Sequence, residues 1–580
     1  MHKFTRSLWV LAALVALVAI IACAPAAQPT AAPPTAAPQP TAAPAQPTQA
    51  PAQPTAVPPT AAPQPTAMPV EPTQASTGAQ GTIVYLKNID DVVSMDPAQA
   101  YEFSGWLAIH SMYDTLVKFE GKDLTNLKPS LATKWDVKTA ADGSSEITFT
   151  LADGVKFASG NPVTSADVVY SFQRGIALGK PPSFLWTDVG GLKEDSITAP
   201  DAKTVVLKMP TGTSPGEFLN VLTAPPLSIV DSVEVKKHEA QVDGKNDFGN
   251  TWLSTNSAGT GPYMLDHWTK DVEFLLKANP NSAVQPKTPQ ILVKHVPEAA
   301  NQQSQLEKGD ADIAHDLTPE QITALAGNKD VVTSKAGNLQ IFYMGMNVKL
   351  KELSDNKVRE AIRYAIDYEG IANDLLSGNA QILQTVIPNG LLGANTDIIF
   401  KRDVEKAKSL LKEAGHENGL EIDMLTLTGN QGLVPMGDLG AKIQADLAEV
   451  GIKLNVKQQP AAELLGTYRA QNAPIVLLLW GPDYPDPNTN ASPFAAYSAG
   501  VIAKRNNWED QKATDMANAA KLESDSAKRV AMYKELTDYI AHNGPYAVLF
   551  QPQQLFATRA NVQGFDWNPM GYADLWTIAK

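Results

Sequence analysis

From residue 82 onward, apolar and polar positions alternate in two rhythms. Thr82-Ile83-Val84-Tyr85-Leu86 is a short apolar, β-rich run, the pattern of a strand. Residues 146–151 (EITFTL) alternate with a period of two, turn at Asp153-Gly154 and continue through 155–157. This reads as a hairpin with one buried face. The run Thr164-Ser165-Ala166-Asp167 predicts a helix start, with Thr164 as cap, Asp167 as its acidic partner three residues on, and Val168, Val169 and Phe172 as the apolar stripe. Segments 203–209 and 273–278 predict strands, and 358–368 and 402–413 predict amphipathic helices, the second stopped by Gly415. A helix over about 439–450 stops at Gly451 and leads into a strand at 453–456. The longest apolar run of this region, 475–480, has the length of a strand. A last helix at 526–541 precedes a strand at 547–550. Helix, glycine, strand in succession predicts an α/β fold.

The first 80 residues follow neither rhythm. Lys3 and Arg6 precede an apolar stretch over 8–22. At ~1.5 Å per residue it spans only about 22 Å, short of the ~30 Å hydrocarbon core, so it reads as a secretory signal. It ends in Ile20-Ile21-Ala22-Cys23, and Cys23 is the only cysteine of the chain. The segment resembles the lipobox of bacterial lipoproteins, which implies cleavage after Ala22 and acylation of Cys23. Two or three acyl chains, at about 0.8 kcal/mol per buried methylene, make a stable membrane anchor. Residues 24–80 then cycle through Ala, Pro, Thr and Gln, hold sixteen of the 43 prolines and carry Glu71 as their one charge. With no face to bury they read as a disordered tether, at ~3.1 Å per residue reaching roughly 180 Å at most. Thr and Pro richness also permits O-glycosylation.

Composition narrows the partners. Loss of Lys3 and Arg6 with the signal would leave 45 of the 47 basic residues against 61 acidic ones. With no basic cluster of five or more, nucleic acid is not an expected partner. A single cysteine supports neither a disulfide framework nor a thiolate metal site. The eight histidines form no close pair suited to zinc, and no nucleophile elbow, H-E-x-x-H or P-loop occurs. No catalysis, cofactor or metal is therefore expected. The alternative of another class, a lipoprotein glycosidase, would need two carboxyls ~5–10 Å apart in one cleft, which nothing in the sequence singles out. A body of about 500 residues implies two or three lobes.

Several stretches resemble the family 5 extracellular solute-binding proteins, the dipeptide, oligopeptide and nickel-type receptors of ABC importers. The longest covers 149–174, FTLADGVKFASGNPVTSADVVYSFQR. Others follow in order: Ser94-Met95-Asp96-Pro97, residues 129–135 (PSLATKW), 259–263 (GTGPY), 358–361 (VREA) with 365–367 (AID), 406–415, and 483–487 (DYPDP). The resemblance implies an α/β, two-lobed type II periplasmic binding protein (a flytrap) with an extra domain inserted in lobe one. By position, lobe one takes 81–117, 256–337 and 548–580, the extra domain 118–255, and lobe two 338–547. The chain would cross between lobes near 337 and 547. It implies a monomeric receptor, held at the outer face of the cytoplasmic membrane or in the periplasm, that closes on a small solute and delivers it to permease subunits of an ABC transporter. Short peptides are the expected ligand, with oligosaccharides as the alternative and a nickel or haem cargo as a variant within the class.

The loop after 475–480 carries the candidate site. Strand ends of an α/β lobe face the crevice, which places Trp480, Asp483 and Tyr484 there. In peptide-binding relatives the aspartate matching Asp483 pairs with the ligand α-ammonium, a charge-assisted bond; an Asx turn stabilising the loop is the other reading. Asp486 reads as a turn former. Trp106 and Trp186, with Tyr101, Phe184 and Tyr484, are expected near the crevice as aromatic walls. Dipeptide receptors carry an Arg for the ligand carboxylate in the segment matching 426–436, and here that segment has no Arg or Lys.

Overall fold

The computed structural model describes residues 81–580; the expected signal, Cys23 and the tether lie outside them. Strand β1 (Thr82–Lys87) is buried along its whole length. After it comes helix α1 (Phe103–Met112). Strands β2 (Ala132–Thr139), β3 (Ser145–Leu151), β4 (Ile197–Asp201) and β5 (Thr204–Met209) build a separate sheet in the order β2-β3-β5-β4. Helices α2 (Ser165–Leu178) and α3 (Pro215–Val221) accompany it. Phe149, Phe157, Phe172, Trp186, Val205 and Leu207 share its core.

The expected hairpin of 146–151 with 155–157 is corrected. β3 lies between β2 and β5, both antiparallel to it. Gly154, at φ 74°, turns the chain instead into a single bridge between Lys156 and Pro162. The period of two identified the strand, but partners from distant sequence chose its neighbours.

Apart from four two-stranded ribbons, the remaining described strands form one twelve-stranded sheet. Its members include β6 (Tyr263–Thr269), β7 (Glu273–Ala278), β8 (Gln290–His295), β9 (Ile313–Ala314), β10 (Val331–Gly337), β11 (Ile341–Met346), β12 (Leu420–Leu427), β13 (Ile452–Gln459), β14 (Ile475–Trp480) and β15 (Tyr546–Arg559). The order is β6-β7-β8-β1-β9-β15-β11-β14-β12-β13, with β10 and a short strand Ala380–Ile382 also on β15. β1 runs parallel to β8 and β9, and β12 parallel to β13 and β14. Two parallel sets are thus joined through β15. That strand pairs with β11 and the short strand through Pro552, and with β10 from Gln553. The chain also crosses between the two sets at residues 338–340, from β10 to β11. Gln551 ties the crossings together, donating from Nε2 to Asn338 O at 2.7 Å and to Asn389 O at 2.9 Å.

Candidate functional site

The carboxyl ends of both parallel sets converge on one cavity of about 380 Å³. Lys87 closes β1, Asp316 follows β9, residues 431–433 follow β12, and Leu479 and Pro482 end β14. Asn338, Gln340 and Gln553 come from the two crossings. Strand carboxyl ends leave unpaired loop backbone around a crevice, which is where ligands of open α/β sheets bind. The volume falls within the roughly 300–1,000 Å³ of small-molecule sites.

The loop leaving β14 is rigid for reasons its sequence supplies. Pro482, Pro485 and Pro487 fix φ at three positions. Asp486 Oδ1 accepts from Asn488 N at 2.9 Å, an Asx turn that opens helix α4 (Asn488–Ala495). Asp486 is fully buried and does more than form the turn the sequence reading assigns it. Both its oxygens take a guanidinium nitrogen of Arg529 at 2.8 Å, and Oδ2 also accepts from Asn220 at 2.9 Å. Arg529 comes from helix α5 (Ser526–Asn543) and Asn220 from α3, so this carboxylate pins three elements.

Asp483, three residues earlier, has a different environment. Its Oδ1 accepts from Tyr101 Oη at 2.5 Å, and its backbone N donates to Thr489 Oγ1 at 3.2 Å. Among the described residues no Lys, Arg or His lies within ion-pair distance of it. Burial lifts its carboxyl above the usual carboxylate range, and the Tyr101 hydrogen bond pulls the other way. A desolvated carboxylate without a cation is costly, and a ligand cation would relieve that cost. Pro482 beside it, and Phe103 two residues after Tyr101, both line the cavity.

The structure brings together only part of the expected aromatic wall. Tyr101 and Phe184 pack edge-on at 5.9 Å between centroids. Trp480 is half-buried, donates from Nε1 to Thr489 O at 3.3 Å and packs edge-on against Phe494. Three expectations are corrected. Trp186 is 1 % exposed and fills the core beneath α2, where a Cβ on Gly175 would come within 2.8 Å of its ring. Trp106 is equally buried, with Tyr101 and Phe103 packed edge-on against it; Phe103 is the aromatic that reaches the cavity. Tyr484 turns away from the cavity into the core of the four-stranded domain. There its Oη donates to Glu217 Oε1 at 2.8 Å, and Asn488 donates to the same oxygen at 2.7 Å.

Sequence reasoning missed Lys87, Asp316 and Phe103. The strand-end argument that singled out Asp483 applies equally to Lys87, the one polar residue closing the apolar run of β1. Asp316 follows a strand of two residues, too short to leave a pattern.

Comparison with known proteins agrees with this architecture. Residues 126–500 match the profile of the bacterial extracellular solute-binding proteins, family 5 Middle. The chain is 28 % identical over 486 residues, covering 83 % of it and 90 % of the relative, to the probable D,D-dipeptide-binding periplasmic protein DdpA of Escherichia coli K12. In fold it matches HbpA2 from Haemophilus parasuis with a TM-score of 0.76 at 23 % identity, over 86 % of this chain and 99 % of that one. It also matches the periplasmic binding protein DppA from Helicobacter pylori, solved with the peptide STSA, with a TM-score of 0.69 at 24 % identity, over 86 % and 98 %.

Proposed function

The chain belongs to the bacterial extracellular solute-binding proteins of family 5, a family of receptors and not of enzymes, and from that premise we propose that its crevice captures short peptides by their free amino terminus. The observation that carries the reading is Asp483. It is a desolvated carboxylate without a cationic partner, oriented by Tyr101 across the crevice and by Thr489 behind the loop. An α-ammonium supplies the missing charge and up to three donors. The relatives with D,D-dipeptide and peptide ligands in their names support the class of solute. In this reading lobe one comprises 81–117, 256–337 and the last strand's distal part to residue 580, lobe two lies between the crossings, and 118–255 is the extra domain. The Trp480 face forms one wall, and closure of the lobes buries the ligand for delivery to a membrane permease.

Asp483→Asn tests the assignment. Removing one partner of a buried charge pair costs about 2–5 kcal/mol, roughly 30- to 4,000-fold in affinity. At least a tenfold rise in Kd for peptide is expected, with an unchanged melting temperature because the prolines and Asp486 hold the loop. Unchanged affinity would remove Asp483 from the site.

Anchoring through Cys23 belongs to the same proposal and rests on the Ile20–Ala22 segment before it. Cys23→Ser is expected to release the protein from the membrane fraction. Continued membrane association of that variant, with no lipid mass on the wild type, would contradict anchoring.

A further inference from the structure

Where the loop after β14 lies on the four-stranded domain, a buried carboxyl meets a buried amide, and each keeps one oxygen bare. Glu217, on α3, is 1 % exposed, and Asn488, at the start of α4, is 6 % exposed. Glu217 Oε1 accepts from Asn488 Nδ2 at 2.7 Å and from Tyr484 Oη at 2.8 Å. The second atoms of the same two groups, Glu217 Oε2 and Asn488 Oδ1, are both buried and, among the described residues, both without a hydrogen-bond partner. While the carboxyl is ionised each is an acceptor only, so neither can satisfy the other. Two buried acceptors left bare on groups that already touch are unfavourable. A single proton on Oε2 makes it a donor and removes both faults, because Asn488 Oδ1 is the open acceptor on the neighbouring group.

The groups facing Glu217 favour that proton. Asp486, from the same loop, is a second carboxylate, already held by Arg529 and Asn220. Tyr533, on α5, accepts from Arg529 at 3.2 Å. Lys521, on the helix Gln511–Leu522, is the cation that would serve an ionised Glu217, but its Nζ stands 3.9 Å from Oε2, beyond hydrogen-bond reach. Burial, then the Asp486 charge, lift the Glu217 pKa to about 7 against the pull of Lys521, Asn488 and Tyr484. We propose that Glu217 is a positioning residue for the crevice loop: it keeps its proton, donates from Oε2 to Asn488 Oδ1, and closes an acid–amide pair that fixes the loop on the four-stranded domain. Asp483 lies within the span so fixed. Tyr484, the other donor to Glu217, is its chain neighbour, and its own backbone N donates to Thr489, the residue after Asn488. Docking of the loop therefore takes up a proton at pH values between the ordinary 4.5 and about 7. The loop is held best on the acid side and loosens as pH rises through the upper value. Only the ligand readout of this inference rests on the peptide reading of Asp483; the proton is tested without ligand.

Infrared titration of the full chain, isotopically labelled at the glutamate side-chain carboxyl carbon, tests the proton; the isotope shift separates glutamates from Asp483 and Asp486. At pH 6, where ordinary glutamates are ionised, a protonated glutamate band is expected. It should fade as pH rises through about 7 and be missing from Glu217→Gln. If that variant folds poorly, Asn488→Leu replaces it: the carboxyl C=O loses a donor, and the band should move to higher frequency. No such band in the wild type, or one that survives Glu217→Gln or is unmoved by Asn488→Leu, would overturn the inference. Calorimetry with one short peptide at pH 6 and pH 8 reads the positioning role. The Gln amide keeps both hydrogen bonds of the pair at either pH. From pH 6 to pH 8 the wild-type Kd should therefore rise about threefold or more relative to that of Glu217→Gln. Titration of Asp483 and of the ligand amine cancels in that ratio. Glu217→Ala should bind more weakly than Glu217→Gln at both pH values. A ratio that does not change with pH would overturn the positioning role and leave the peptide reading standing. Failure of wild type and Glu217→Gln alike to bind the peptide would overturn that reading, while the infrared band still decides the proton.

Discussion

Asp483 and Asp486 are separated by two residues and have opposite fates. Among the described residues, one stays without a cation beside Pro482 of the cavity lining; the other is held through both oxygens by two guanidinium nitrogens of Arg529. Beside that pair, Glu217 is buried, with Oε1 taking Tyr484 and Asn488 and Oε2 without a hydrogen-bond partner. Burial, and then the charge of Asp486, push its pKa up to about 7, against the opposing pull of Lys521, Asn488 and Tyr484. The group keeps its proton in the folded state at pH values where the unfolded chain has lost it. Its contribution is therefore present in full below the unfolded value near 4.5 and is lost as pH rises toward 7. Buried, neutral His315 works the other way, costing stability as pH falls below about 6.5 because only the unfolded chain takes up the proton. The wild-type profile mixes the two, so the informative quantity is a difference. Glu217→Gln, measured by urea unfolding from pH 5 to 8, should gain stability relative to wild type as pH rises. A gap between the two proteins that does not change with pH would contradict this.

Elements with a local signal were legible in the sequence, and those defined by distant partners were not. The start of α2 is a clear case of the first kind. Asp167 Oδ2 accepts from Thr164 N and Thr164 Oγ1, each at 2.8 Å, as the T-S-A-D spacing predicts. No local pattern marks the second contact, in which Oδ1 of the same residue accepts from Ser232 N at 3.0 Å and Ser232 Oγ at 2.7 Å, 65 residues away. Losing the cap alone through Thr164→Ala is expected to cost about 1 kcal/mol. Asp167→Ala should cost clearly more in denaturant unfolding, because it also leaves the buried Ser232 donors unsatisfied; equal costs would mean the second contact contributes nothing. Tyr484 follows the same logic. Placed by its motif at the crevice, it is claimed instead by a carboxylate 267 positions away and by an apolar core it completes. Trp186 was misplaced for a related reason: bulk and aromaticity look alike in sequence whether the ring faces a ligand or fits over Gly175. Lys87 was overlooked because a single polar residue at a strand end has no periodicity to mark it.

At the scale of the whole molecule, one sheet serves two halves, and the same two crossings that join them line the cavity between them. The loop after β14 meets the rest of the chain through polar and apolar contacts alike: Tyr101 reaches Asp483, Asn220 reaches Asp486, Glu217 takes Tyr484 and Asn488, and the Tyr484 ring sits in the core of the four-stranded domain. In the proposed receptor role, a ligand shifts the balance toward closure only as far as it binds the closed arrangement better than the open one. What Asp483 receives decides between a peptide and a neutral ligand. Calorimetry of the wild type with one short peptide and its N-acetylated form tests this most directly. The free peptide should bind at least tenfold more tightly, because acetylation removes the ammonium and leaves the carboxylate desolvated and unpaired. Equal affinity for the two forms, or tight binding of a neutral oligosaccharide with neither peptide bound, would contradict it.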